Sequence, residues 1–89
     1  MIHASPQDEE IRRLHWQCRR GMLELDVALQ RFLDEDYPRL DAAARAAFAR
    51  MLAAEDQTLH AWLMGRAVPE EADIRSVVAL IRAFGRGPG

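Results

Sequence analysis

Apolar residues recur along this chain at intervals of three and four. Ile11, Leu14 and Cys18 make the first run, and Leu25, Leu29, Phe32 and Leu33 the second. Ala44, Phe48, Met51 and Leu52 follow, then Leu59, Trp62 and Leu63, then Ile74, Val77, Val78, Ile81 and Phe84. That period belongs to helices that each bury one stripe.

Turn chemistry separates the runs. Ser5 suits an N-cap, with Pro6 at the first helical position and Asp8 and Glu9 in the first turn, so a helix is predicted from Pro6 to about Arg19 or Arg20. Gly21 interrupts it, and a second helix is expected over 22–35. Asp36-Tyr37-Pro38 closes that helix, because the residue before a proline is pushed out of helical geometry. Asp41 is the expected cap of a third helix reaching about Ala54, and Asp56 of a short fourth stopped by Gly65. Pro69-Glu70-Glu71 opens the fifth, which should end at Gly85. The expected fold is all-α: residues 1–89 as a single helical domain, a compact bundle of about five short helices, with 1–5 and 85–89 as disordered ends.

Composition supports this and narrows the function. Fifteen Ala stand against nine β-branched residues, a balance that favours helix over strand. With 89 residues there is room for one modest core. A chain this short leaves little to enclose a large cofactor and build a reaction pocket as well, which favours a binding or helper module over a self-sufficient cofactor enzyme. The formal net charge of −2 weighs against nucleic-acid binding. A single cysteine excludes an internal disulfide, and no apolar run approaches the ~18 residues of a membrane span. The N-terminus resembles neither a secretory signal nor a transit peptide, so a cytoplasmic protein without membrane insertion is expected.

Candidate chemistry is sparse. His15 and Cys18 sit three apart, but His3 lies at the terminus and His60 on another helix, so four metal ligands do not assemble. Cys18 reads better as a small buried hydrophobe. Neither GxGxxG nor a phosphate-binding P-loop occurs. Trp62 falls on an apolar stripe and reads as core; Trp16 lies off its stripe and reads as outward-facing.

The informative stretch is residues 15–26, His-Trp-Gln-Cys-Arg-Arg-Gly-Met-Leu-Glu-Leu-Asp. Arg12, Arg13, Arg19 and Arg20 make a local basic patch with no acid between Ile11 and Leu23. Gly21 lies between two helical patterns, where it supplies an unusual backbone angle or permits close approach of another chain. Arg20 and Glu24, four apart, have the spacing to share a helix face. By itself this stretch also fits a solvated face on a generic scaffold, or a DNA-binding or antitoxin-like regulator using the four arginines.

In its wider context the stretch resembles the RGxxE signature region of the succinate dehydrogenase assembly factors, the bacterial FAD assembly factors and their mitochondrial relatives. The resemblance continues through Phe32, Tyr37, Phe48, Leu52, Asp56, Leu59, Trp62, Leu63, Gly65, Pro69 and Ile81-Arg82. It implies a small helical bundle that is not an enzyme. Such a protein binds the flavoprotein subunit of succinate dehydrogenase, and in bacteria also that of fumarate reductase, and promotes covalent attachment of the client's FAD to the client's own histidine. It implies no stably bound cofactor. A monomer that pairs with its client is the default expectation. By the same resemblance Arg20, Gly21 and Glu24 form the partner-binding surface, flanked by Trp16, Arg19, Met22 and Asp26.

Overall fold

The structure is a computed structural model; it describes the backbone of residues 6–86 and the side chains of residues 8–83. Among the described residues five α-helices follow one another: α1 (Pro6–Gln17), α2 (Leu23–Glu35), α3 (Ala42–Met51), α4 (Asp56–Leu63) and α5 (Ala72–Arg86), with a 3-10 turn, Tyr37–Arg39, between α2 and α3. No strand occurs among the described residues. The all-α bundle expected from the apolar periodicity is the observed one.

The predicted stripes make the core. Leu25, Leu29, Phe32 and Leu33 of α2 are buried against Phe48 and Met51 of α3, Leu59 of α4 and Ile74, Val77, Val78 and Ile81 of α5. Leu14 and Cys18 close the core from the α1 side. The Phe32 and Phe48 rings stack at 5.5 Å, and the Tyr37 ring lies 5.5 Å from Phe48. Tyr37 is fully buried and donates its hydroxyl to Glu10 Oε1 at 2.7 Å, tying the 3-10 turn to α1. Burial, reinforced by this hydrogen bond, pushes its phenol up to about 12. Trp62 is half-buried at the edge of the core, and Trp16 stands outside it. Helices α3 and α5 pack on each other and are joined at the surface by Arg50, which lies 3.5 Å from Glu71 and 3.6 Å from Asp73.

Helix ends depart from the expectations at four places. Helix α1 stops at Gln17, short of Arg19, because Arg20 and Gly21 turn their amides to the Asp26 carboxylate. Helix α3 stops at Met51, not near Ala54. Its last amides tighten to three-residue bonds, Ala53 N to Arg50 O and Ala54 N to Met51 O, while the carbonyls of Leu52 and Ala54 accept from Arg20. Asp56 is not the cap of α4: Glu55 holds that position without a side-chain bond, and Asp56 is the first helical residue. Helix α5 begins at Ala72 and runs through Gly85 to Arg86, so Gly85 is not its stop.

Other end signals hold. Asp41 caps α3 by accepting from Ala44 N at 2.8 Å. Gly65, at φ +78°, stops α4 with the paired bonds of a Schellman end, Arg66 N to Ala61 O and Gly65 N to Trp62 O. The expected Ser5 cap, the Phe84 side chain and residues 87–89 lie outside the described residues.

Candidate functional site

The site is built around the five-residue link between α1 and α2. The chain leaves α1 at Gln17, buries Cys18 completely, and must then reverse into α2. Gly21 makes the reversal at φ +84°, a left-handed angle costly for any residue with a Cβ. A Cβ there would meet nothing within 4 Å, so the glycine is required by conformation, and its surroundings are open. Asp26, half-buried on α2, holds the turn by accepting from Arg20 N at 2.7 Å and from Gly21 N at 3.2 Å.

Arg20 turns inward. Its Nε donates to Asp56 Oδ1 at 2.6 Å, one terminal nitrogen donates to Leu52 O at 2.9 Å and Gln17 O at 3.1 Å, and the other donates to Ala54 O. Four of the five N–H groups of a guanidinium are thereby used within the chain. With its side chain 16% exposed, Arg20 is a clamp that fixes the α1–α2 link against the α3–α4 junction. Its ion-pair partner is Asp56, not Glu24, so the pair that sequence spacing suggested is not formed.

Glu24 lies in the first turn of α2, its side chain 75% exposed, where the helix dipole favours an anion. Its carboxylate Oε2 stands 3.8 Å from His60 Nε2 of α4. Met22 is half-buried against the core, whereas Leu23 is 79% exposed and Val27, one turn further, is exposed as well. On the other flank Trp16 is 67% exposed, with the Arg19 guanidinium 5.2 Å above its ring. Trp16 and Arg19 rim an open groove of about 490 Å³ that runs along α1 past Ile11, Arg12 and His15 to Gln30 of α2. His15 itself is tied to Asp34 at 2.9 Å.

The seven residues singled out in the sequence thus separate into two groups. Arg20, Asp26 and Met22 hold the link from beneath. Gly21, Glu24, Trp16 and Arg19 face outward. Arg12, Arg13 and Arg19 are exposed, Arg12 and Arg19 on the same groove, and the fourth arginine, Arg20, is structural. Cys18 is core, as its pattern suggested, and burial pushes its thiol up to about 12 despite the lowering effect of the Arg20 charge.

Sequence reasoning missed Asp56 as the anchor of Arg20, His60 as the neighbour of Glu24, and the exposed Leu23 and Val27. A signal for the last two was present: both lie off the Leu25/Leu29 stripe of an amphipathic helix.

A polar clasp beneath, and an exposed carboxylate with an aromatic ring and apolar side chains above, suit contact with another protein surface. Among the described residues no cluster of three or more metal-ligating side chains occurs. No described helix is long and apolar enough to cross a membrane.

Comparison with known proteins identifies the family. Residues 12–85 match the profile described as flavinator of succinate dehydrogenase. The chain is 50% identical over 74 residues to the FAD assembly factor SdhE of Pseudomonas aeruginosa, covering 83% of this chain and 88% of that protein. It is 41% identical to SdhE of Pectobacterium atrosepticum (85% and 89% covered) and 45% identical to SdhE of Pseudomonas savastanoi (84% and 89% covered). These matches favour the assembly-factor reading of the arginine-rich stretch over the DNA-binding one. The chain belongs to the flavinator of succinate dehydrogenase family.

Proposed function

We propose that this protein binds the flavoprotein subunit of succinate dehydrogenase and promotes its covalent flavinylation, acting as an FAD assembly factor. The observation that carries the reading is the clasped α1–α2 link. In a chain of this family, Arg20 and Asp26 fix a turn that leaves Gly21 open and Glu24 exposed.

The mechanism follows from what such a surface does. The flavin bond forms within the client, between its own histidine and the flavin, and the rate depends on how well the client holds those groups. A helper that binds the reactive arrangement more tightly than the others shifts the client's population toward it. The open turn at Gly21 lets the backbone lie close against the client. Glu24 offers an acceptor for a client N–H or cation, and Trp16 with Leu23 supplies apolar contact. Arg20 contributes by keeping this surface in shape.

On this reading the protein is not itself an enzyme and holds no FAD stably; flavin, pocket and nucleophile belong to the client. It acts as a cytoplasmic monomer that pairs with one client at a time, and the flavoprotein subunit of fumarate reductase is a second client.

The test co-expresses the protein with the succinate dehydrogenase flavoprotein subunit in a host lacking its own factor. Covalent flavin is then read as fluorescence of the denatured subunit on a gel. Fluorescence well above the level without the protein is expected; equal fluorescence overturns the reading.

A further inference from the structure

The pair His60–Glu24 is unexplained by packing. The two side chains come from different helices, α4 and α2, and meet at 3.8 Å, beyond hydrogen-bond range but within reach of an ion pair once the imidazole is charged. Of the other charged groups around α4, Glu55 holds its N-cap and Arg66 follows its end, both exposed, and most of the rest have partners of their own. On α4 itself, Asp56 lies one turn before His60 and is held by Arg20. From α2, Asp26 accepts the link amides and Asp34 pairs with His15. From α5, Asp73 pairs with Arg50, Arg75 donates to the carbonyls of Pro69 and Glu70, and Arg82 lies against Gly65. Glu24, three-quarters exposed, is the carboxylate that a charged His60 meets.

We propose that His60 is a positioning residue that gates Glu24. As an imidazolium it draws the Glu24 carboxylate toward α4 and cancels part of its charge. As a neutral imidazole it releases Glu24 to accept from the client. The imidazole is the side chain suited to such a change of charge. The sign follows: client affinity rises with pH as His60 loses its proton. This inference rests on Glu24 being a client contact.

Two measurements on the full-length protein test it. In the isolated protein, the side-chain carboxyl carbon resonance of Glu24 is followed by NMR from pH 5 to 8.5. It should show an inflection at the midpoint of the His60 ring, and His60→Phe should abolish it. No shared inflection overturns the gate.

Second, binding to the purified flavoprotein subunit is measured by calorimetry at pH 5.5 and 7.5. The client's own titration and the His15–Asp34 pair are common to every variant, so wild type and variants are compared at each pH. His60→Phe should bind about threefold to fivefold tighter than wild type at pH 5.5 and equally at pH 7.5, the effect of one exposed ion pair. His60→Arg, permanently charged, should bind about threefold to fivefold more weakly than wild type at pH 7.5. Variants that track wild type at both pH values overturn the gate. Glu24→Gln separates the two failures. If it weakens binding at pH 7.5 while the His60 variants track wild type, only the gate is wrong. If it binds as wild type, the client-contact reading of Glu24 falls and the gate with it.

Discussion

Arg20 and Asp56, 36 residues apart in sequence, are joined by a 2.6 Å hydrogen bond that binds the α1–α2 link to the first turn of α4. The same guanidinium also donates to the carbonyls of Leu52 and Ala54, which helix α3 leaves free by ending at Met51. Removing Arg20 therefore strips a donor from four acceptors at once, the carbonyl of Gln17 included. Arg20→Ala should destabilise the fold by about 2–4 kcal/mol, measured by urea unfolding followed by circular dichroism. Arg20→Lys should recover only a minor part, because an ammonium cannot spread over acceptors arranged for a planar fork. Asp56→Asn should cost less than either, since its side chain is partly in water. Wild-type stability in Arg20→Ala would show that the clamp is not part of the folded protein.

Glu24 should behave in the opposite way. It makes no buried contact and its side chain is 75% exposed, so Glu24→Ala should leave stability within about 0.5 kcal/mol of wild type. Client flavinylation should nevertheless fall, roughly tenfold in initial rate, if Glu24 is an interface anchor. Measuring unfolding and covalent flavin in the same preparation separates the two motif residues: Arg20 variants lose activity in step with stability, and Glu24 variants without it. A Glu24→Ala protein that flavinylates at the wild-type rate would remove this residue from the surface.

Gly21 tests conformation against contact. At φ +84° any Cβ is strained, so Gly21→Ala should cost about 1 kcal/mol in isolation, and Gly21→Asn less, because Asn tolerates this region best among the other residues. A Cβ at this position meets nothing within 4 Å, so Gly21→Arg should fold with near-native helical content by circular dichroism. It should still fail to flavinylate the client, because its side chain stands where the client's surface must approach. Full activity in Gly21→Arg would show that no partner comes close to this turn.

These contrasts mark what the residues reveal in order and what they do not. The apolar stripes of α2 and α5 were legible because burial along a helix is periodic, and Leu25 to Leu33 and Ile74 to Ile81 are buried as the period requires. Stops that depend on one residue's backbone preference, such as Gly65, were legible too. The roles of Arg20 and Asp56 were not. A cap is a local bond, and a lone Asp before a helical run reads as one. What draws Asp56 away is an arginine brought to it only by the packing of α1 against the rest of the bundle. For the same reason Arg20 and Glu24 looked like a pair. Their spacing suits a common helix, but Arg20 lies outside α2 and its side chain leaves in another direction.

The buried thiol of Cys18 makes stability depend on alkaline pH in a stated direction. Burial raises it from an ordinary 9.0 to about 12 in the folded protein. Below pH 9 the thiol is protonated whether the chain is folded or not, and its contribution is fully present. Between pH 9 and 12 the unfolded chain loses this proton while the folded protein keeps it, so stability falls as pH rises. One such proton corresponds to about 1.4 kcal/mol per pH unit within that window. Tyr37, raised from 10.0 to about 12, adds a similar loss beginning one unit higher. Urea unfolding at pH 8, 9, 10 and 11 should be flat to about pH 9 and then decline. Cys18→Ala should start lower, for its lost packing, and decline less steeply between pH 9 and 11. Tyr37 is common to both proteins, so the difference in slope belongs to Cys18. Parallel slopes would show that the thiol ionises in the folded protein as it does in water, and that α1 does not seal the core at this point.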